Sequence, residues 1–466
     1  MVDDSLRTPH PPAAERRAAG KAVRKRVPRS SHGDWTPPAG RPDPVEWMRA
    51  TSEGRLPDYI GVRVGRMTVS PFTFLRGAAD LMAQDLVGSP HSGIYTTLIG
   101  DAHLANFGFY ASPERHLMLD VNDFDQAAPG PWEWDLKRLA ASLVVAARHN
   151  GLPDDVGRAA VRASISAYAT AIDAAANEGT LPFNLDVFTV DRLRKIARKT
   201  AIADEVALAE TKARRKTHAS SMPKFTGRGA QGDLRMIDSP PLMVDVFDSE
   251  PAVVGATEDQ IVDALDAYVE TLPYNWQRVL RSYTFRDSAY RVTGVGSAGL
   301  RTYVALLTGK DDDDAVFLQL KEAGPSVLDG RADGPISRHA HNGRRVVAYQ
   351  QRSQAASDPL LGWTQMEGRD YYVRQLRDMK GDIPTESLDG VEMPLYARLC
   401  GALLARAHAR AGDAAAISGY LGGGGALGDS IAEFGVRYAD QTEHDWRAVL
   451  DAALAGELPY VPDERE

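Results

Sequence analysis

Cysteine is almost absent from this sequence: Cys400, inside the apolar run LYARLCGALLARAHA, is the single one in 466 residues. One thiol excludes an internal disulfide framework and a thiolate metal cluster, and it suits a reducing compartment. Long apolar runs are missing too. No stretch approaches the roughly 18 residues that a membrane helix needs, and the polar N-terminus lacks a signal peptide's apolar core. Positive charge is in deficit, with 54 Lys and Arg against 63 Asp and Glu, a net charge of -9. That balance argues against a nucleic-acid coat or a membrane-surface protein. The expectation is a cytoplasmic protein with no membrane or nucleic-acid partner. Oligomeric state is not legible.

What is present is an ordinary globular composition, 43% hydrophobic and 25% charged, with length for two or three domains or one large two-lobed unit. Residues 1–50 read as a basic, Pro-rich N-terminal segment, wrapped on the body as a clamp or left as a solvated tail, with a short helix over 11–25. Residues 51–284 read as a mainly helical region. Apolar spacing predicts helices over 73–86, opened by Ser70-Pro71, over 132–151, over 155–175 capped by Pro153-Asp154-Asp155, across the charged stretch 190–220, and over 257–271. A buried segment at 93–99 and a strand at 116–125 interrupt them, and 221–250 reads as irregular chain. Residues 285–380 form a small β-rich unit: strand, Gly-rich turn, strand, acidic turn, strand, a helix near 343–356, then strands at 361–366 and 370–375. Residues 381–466 are helical, with helices at 392–411 and 428–452 around the Gly-rich break GYLGGGGALGD.

The segment Gly100-Asp101-Ala102-His103-Leu104-Ala105-Asn106 packs an acid, an imidazole and an amide together, and Asp123 follows in the strand-end sequence Asn122-Asp123-Phe124-Asp125. Such a loop beside such a strand end has a definite use. One Asp can orient or deprotonate a hydroxyl, while Asn and a second Asp hold Mg²⁺ against phosphate oxygens. Asp101 and His103 are therefore catalytic candidates, and Asn106 and Asp123 metal candidates. Two other readings stand beside this one: turn and cap residues only, or a transition-metal hydrolase site built from Asp101, His103, Asp120 and Asp123.

Gly294-Val295-Gly296-Ser297-Ala298-Gly299 has the G-x-G-x-x-G form, and LRTYVALLTG after it reads as a strand. A strand on both sides favours a β-hairpin folded over phosphates rather than a strand-to-helix dinucleotide turn. FLQLKEAG then sets Lys321 near the end of the next strand, where it can pair with phosphates. Gly294, Gly296, Ser297, Gly299 and Lys321 are the candidate nucleotide-binding residues, Lys321 is a catalytic candidate as well, and 370–380 can line an adenine pocket as a hinge.

The stretches VPRSSHGDW, SPFTFLRGAADLMAQDL, GDAHLANFGFY, NDFDQAAPGPWEWDLKRLAAS, GVGSAGLRTYVALL, FLQLKEA, QQRSQAASDPLLGW, YYVRQLRDMKG and AHARAGD together resemble the uncharacterised bacterial family DUF2252 over nearly the full length. More distantly, GDAHLAN is similar to the H-G-D-x-H-x-x-N loop of aminoglycoside and choline phosphotransferases of the protein-kinase-like fold, and NDFDQA…WEWDL to their I-D-[FW]-x-x-A…D-L segment. That resemblance implies Asp101 as catalytic base, Asn106 and Asp123 as Mg²⁺ ligands, and Asp135 as a structural acid anchoring the loop. It implies an α+β, two-lobed kinase-like fold with helical additions. Because the loop here precedes the β-rich unit, the fold has to be circularly rearranged, with the helix 392–411 packed behind the loop. Ile99 stands where those enzymes have histidine, and the helix GRRVVAYQQRSQAASD offers Lys321 no glutamate partner.

The reading is thus an ATP- and Mg²⁺-dependent phosphotransferase acting on a small-molecule or protein hydroxyl acceptor. A nucleotide-binding pseudokinase or regulator, an AMP transferase and a metal-dependent hydrolase are the alternatives. Among the other residues, His408 reads as a core or helix-end hydrogen-bonding histidine, Arg76 as a salt-bridge former or phosphate contact, and Trp132 and Trp134 as wedges. The basic run 212–216 reads as a wet helix face, and Gly422 to Gly425 as a mobile turn near the site.

Overall fold

The computed structural model describes residues 9–463 apart from 199, 230, 332–333 and 377, so the first eight residues of the basic segment lie outside it. The chain is α+β, with open antiparallel sheets. Its helical part is built on Glu133–His149, Asp154–Asn177, Glu392–Ala411 and Gly425–Leu454, which pack on one another. Glu133–His149 is buried on nearly every side, as its run of Leu, Ala and Val requires. At the next helix, Pro153 is the N-cap without a side-chain bond, and Asp154 and Asp155 lie in the first turn. Their charge at the positive end of the helix, rather than a capping hydrogen bond, is what favours the start there.

The main sheet has six strands in the spatial order Gly362–Met366, Arg369–Gln375, Ala315–Glu322, Thr302–Thr308, Thr284–Arg291, Met243–Asp245. The last of these edges comes from 221–250, where irregular chain was expected. One face of the sheet packs with Leu56, Tyr59 and Val62 and with the helix Glu258–Val269, burying Leu318 and Leu320. Strand alternation turns Gln319 and Lys321 the other way, into a cleft against the helical part.

The short strands Tyr95–Leu98 and Ala128–Pro131 pair antiparallel. They close the segment 99–127 at both ends, so the two candidate acids Asp101 and Asp123, far apart along the chain, return to one place. Phe107–Ala111 and Leu117–Val121 pair within that segment, and Gly381–Asp382 joins their edge. The helix Glu392–Ala411 lies behind: Thr96 Oγ1 donates to the His408 carbonyl at 3.3 Å, and the Tyr396 hydroxyl to the Phe107 carbonyl at 3.2 Å.

The single helix expected over 73–86 is two, Pro71–Gly77 and Ala79–Leu86, broken at Ala78 with φ -109° and ψ 35°. Glycine is a poor helix former, and at Gly77 the Met67 side chain occupies the space a Cβ would need, 2.6 Å from its ideal position. The break seats the glycine turn, since a Cβ on Gly296 would lie 2.9 Å from the Gly77 Cα.

The N-terminal segment clamps the body. Gly20 of the helix Ala13–Val23 meets the helix Ala414–Leu421 so closely that a Cβ would stand 2.0 Å from the Ala416 carbonyl oxygen. Arg24 Nε then donates to the Tyr420 carbonyl at 2.8 Å and Arg29 to that of Leu421 at 2.9 Å, satisfying the open end of that helix. Gly422 therefore lies under Arg24 and Arg29 and not beside the cleft, which corrects the placement expected for 422–425. Among the described residues no helix is long and apolar enough to cross a membrane.

Candidate functional site

The site is laid out from the helix Glu133–His149, whose Asp135, Arg138 and Ser142 fall at helical spacing on one face. All three grip the loop above. Asp135 accepts from the Ile99 N–H at 2.7 Å and the Gly100 N–H at 3.0 Å, Arg138 donates to Asp101 Oδ1, and Ser142 Oγ accepts from the Leu104 N–H at 2.9 Å. Gly100 has to be glycine: its φ is +80°, and a Cβ would come within 2.2 Å of the Gln126 carbonyl oxygen. Asp135 is itself buried and bonded to His408 Nε2 at 3.0 Å, whose Nδ1 meets the Tyr168 hydroxyl at 2.8 Å. His408 thus sits in the core, bonded to Asp135 and Tyr168.

Asp101 Oδ1 accepts from Arg138 Nε at 2.9 Å and lies 2.8 Å from Nη2 as an ion pair, leaving Oδ2 toward His103 Nε2 at 3.8 Å. Burial pushes its carboxyl up to about 6 against the pull of Arg138. His103 is held well below the usual histidine range by burial and then by Arg76 and Arg138, so its imidazole is neutral. Its Nδ1 is buried without a partner among the described residues. Asn106 donates its amide N–H to the Asp101 carbonyl at 2.6 Å, which turns its oxygen away from that carbonyl.

Lys321 reaches across from the sheet. It is buried, ion-paired with Asp125 and 3.7 Å from Asp123. Burial alone would lower its ammonium, but Asp123 and Asp125 override this and raise it. Burial likewise opposes ionisation of Asp123, yet Lys321 and Arg374 hold it well below the usual carboxylate range, while burial and Asp123 push Asp125 up. The partner that the sequence did not offer Lys321 as a helical glutamate is therefore Asp125, two residues beyond Asp123. The helix Asn342–Ser353 contributes cation instead of acid. Arg345 donates to the carbonyls of Ala127 at 2.6 Å, Asp125 at 2.8 Å and Gly324 at 2.9 Å, fixing the segment that carries both acids. Glu322, on the opposite face of its strand, accepts from the Arg301 N–H at 2.9 Å and from Arg369 at 2.8 Å.

The glycine turn spans the strands Thr284–Arg291 and Thr302–Thr308. It is tied down through its carbonyls, which accept from Arg66 at Gly294 (2.7 Å), Arg55 at Ala298 (2.7 Å) and the Leu56 N–H at Gly299 (2.9 Å). The N–H groups of Gly294, Val295, Gly296 and Ser297 donate to no described residue. Gly294, Gly296 and Ser297 line the cleft; Gly299 does not, because it is turned onto Arg55 and Leu56.

Asp101, His103, Asn106, Asp123, Lys321 and the turn thus border one cleft of about 480 Å³. Asp135 stands behind it. Asp120 faces the other way, 3.9 Å from Arg410, so the four-residue cluster weighed for a hydrolase is not assembled. Among the described residues no group of three or more His, Cys, Asp or Glu is placed to share a metal ion. Sequence reading missed Arg138, Asp125, Arg345 and Arg374. The spacing Asp135-x-x-Arg138-x-x-x-Ser142 was the available signal for the first; the acid left over in Asn-Asp-Phe-Asp was the signal for the second. Arg76, weighed as an ion-pair former, borders the cleft and lies over the Phe72 ring at 5.9 Å.

A family model described as an uncharacterized protein conserved in bacteria (DUF2252) matches residues 55–452. The chain belongs to the DUF2252 family. The matched span holds every residue of the cleft except Trp47 and Thr51, so the site of this DUF2252 protein lies within the family's own core. No curated protein matches the chain. No solved structure matches it either.

Proposed function

We propose that this DUF2252 protein is a phosphotransferase that moves the γ-phosphoryl group of Mg-ATP to a hydroxyl acceptor, with a kinase-like two-lobed layout in rearranged chain order. The observation that carries the reading is the meeting of Lys321 with Asp123 and Asp125 in the cleft that Asp101, Asn106 and the glycine turn also border. Those groups come from two segments remote in the sequence and are the set phosphoryl transfer requires. The helix Glu392–Ala411 behind the loop supports the rearranged order.

The cleft fits the missing partners. Undonated N–H groups at 294–297 are an anion cradle, and Asn106 with Asp123 offers the hard oxygens Mg²⁺ prefers. When bound, the metal would neutralise charge on the phosphates. Asp101 Oδ2 would accept the acceptor's hydroxyl proton as that oxygen bonds to Pγ and the bridging Pγ–O bond breaks, leaving ADP. A carboxyl near 6 is ionised at neutral pH and basic enough for that task. Lys321 and the 294–297 N–H groups would hold the phosphates in line.

The test is calorimetric titration of Mg-ATP into wild type, Lys321→Ala and Asp123→Ala. Saturable binding that weakens in both variants is the expected result. A folded wild type that binds no Mg-ATP refutes the proposal. One second reading has an observation in its favour: the ion pair of Arg138 with Asp101 suits a nucleotide-binding regulator without turnover. Tight Mg-ATP binding with no ADP or AMP formed over hours identifies it.

A further inference from the structure

One end of the cleft carries cations that no protein acid answers. Arg55, Arg63 and Arg76 all line it, and none has a carboxylate within ion-pair distance among the described residues. Asp80, which also lines the cleft, is already engaged by Arg331 at 2.6 Å and by the Trp47 indole at 3.0 Å. Arg63 is 1% exposed. Its Nη atoms are spent on the Ser52 and Thr51 hydroxyls at 2.8 and 2.9 Å, and its Nε is buried with no partner. Arg55 uses Nε on the Thr51 carbonyl at 2.8 Å and Nη1 on Ala298. Arg76 has a buried Nε without a partner. Buried guanidinium charge without a counter-ion is strongly unfavourable unless a ligand supplies one.

Arg55 is bound to the glycine turn itself, through Ala298, and Gly77 packs on Gly296, but Arg76 is separate from the lysine end of the cleft. Lys321 and Arg374 face Asp123 and Asp125. Arg76 instead lies on the helix Pro71–Gly77, whose Leu75 carbonyl accepts from Arg138 at 2.6 Å, and Arg138 is the arginine that holds Asp101. Arg76 therefore stands on the side of Asp101 and His103. A guanidinium is the donor best matched to planar or tetrahedral oxyanions.

We infer that the second substrate is itself an anion, a phosphate- or carboxylate-bearing alcohol whose acidic group binds Arg76 while its hydroxyl meets Asp101. The assignment of a hydroxyl rests on the phosphotransferase reading above; the anion subsite does not. Oxyanion chemistry is shared by the nucleotide's own phosphates, so the test has to tell the two sources apart.

Inorganic phosphate is titrated calorimetrically into the full chain already saturated with Mg²⁺ and the non-hydrolysable analogue AMP-PCP, and the Mg-analogue is titrated into phosphate-free protein. Wild type, Arg76→Gln and Lys321→Ala are compared, each with a thermal melt to show that it is folded; Arg76→Met, which keeps the side-chain stem beside Phe72, replaces Arg76→Gln if the latter is not. The expected result is phosphate binding to the loaded wild type that Arg76→Gln weakens about tenfold, while its affinity for the analogue changes by less than about twofold. Lys321→Ala should do the reverse. Loaded wild type that binds no phosphate overturns the inference, as does Arg76→Gln weakening the analogue as much as Lys321→Ala does. Phosphate bound equally by wild type and Arg76→Gln is an adventitious ion only, and overturns it too. Phosphate binding that depends on Arg76 in a protein that binds no analogue keeps the anion subsite and removes the phosphotransferase reading.

Discussion

Replacing Asp135 with asparagine changes no volume and one charge, and the outcome follows from what the carboxylate does. Its oxygens accept from the Ile99 N–H at 2.7 Å and the Gly100 N–H at 3.0 Å, with His408 Nε2 a further 3.0 Å contact. Asparagine has one acceptor oxygen, so its NH₂ must face a donor that was bonded before. A buried N–H then loses its partner, and the bond that remains is no longer charge-assisted. Each such change is worth about 1–3 kcal/mol, so Asp135→Asn should lower unfolding free energy by about 2–4 kcal/mol. Urea denaturation at neutral pH measures this, and native-state hydrogen exchange localises it: the Ile99 and Gly100 amides should lose protection more than amides of the six-stranded sheet. Tyr168→Phe keeps the His408–Asp135 contact and should be milder, about 1 kcal/mol. A loss below about 1 kcal/mol for Asp135→Asn, with unchanged exchange at Ile99 and Gly100, would refute the view that this acid hangs the loop from the helix.

Three other outcomes are expected. Lys321→Met leaves the half-buried Asp123 and Asp125 without their nearest cation and should reduce stability by about 1–3 kcal/mol; Lys321→Met with Asp125→Asn should recover part of it in a double-mutant cycle, and strict additivity would contradict the pairing. Glu133, pushed up to about 7 by burial, binds a proton in the native state that the unfolded chain releases near its ordinary value, so its contribution is present at low pH and lost as pH rises through about 7. Glu133→Gln should therefore gain about 2–3 kcal/mol on wild type between pH 5 and pH 8, read from paired urea titrations; a flat difference would count against a buried neutral acid there. Gly20→Val puts a side chain where the Ala416 carbonyl already is, and should lift the helix Ala13–Val23 so that limited trypsin cuts at Arg24 and Lys25 sooner than in wild type.

The sequence by itself determined the elements and the chemical inventory. Helical periodicity over 132–151 and 392–411, the strand alternation of FLQLKEAG, and the glycine signals at 294–299 are local properties, and local properties can be read along a chain. The α+β class and the loop residues Asp101, His103 and Asn106 were legible for the same reason. Tertiary structure alone decided who meets whom. Lys321 finds Asp125 rather than a helical glutamate because strands Tyr95–Leu98 and Ala128–Pro131 fold the acidic segment back under the sheet, which no spacing along the chain records. The break at Gly77–Ala78 arises from Met67 and Gly296 pressing on it, contacts from residues remote in sequence. Arg55, Arg63 and Arg76 look like any surface arginines in the sequence; only the fold turns them toward one cleft and removes the acids that would neutralise them. Charge is written in the sequence, but whether a charge has a partner is a property of three-dimensional distance.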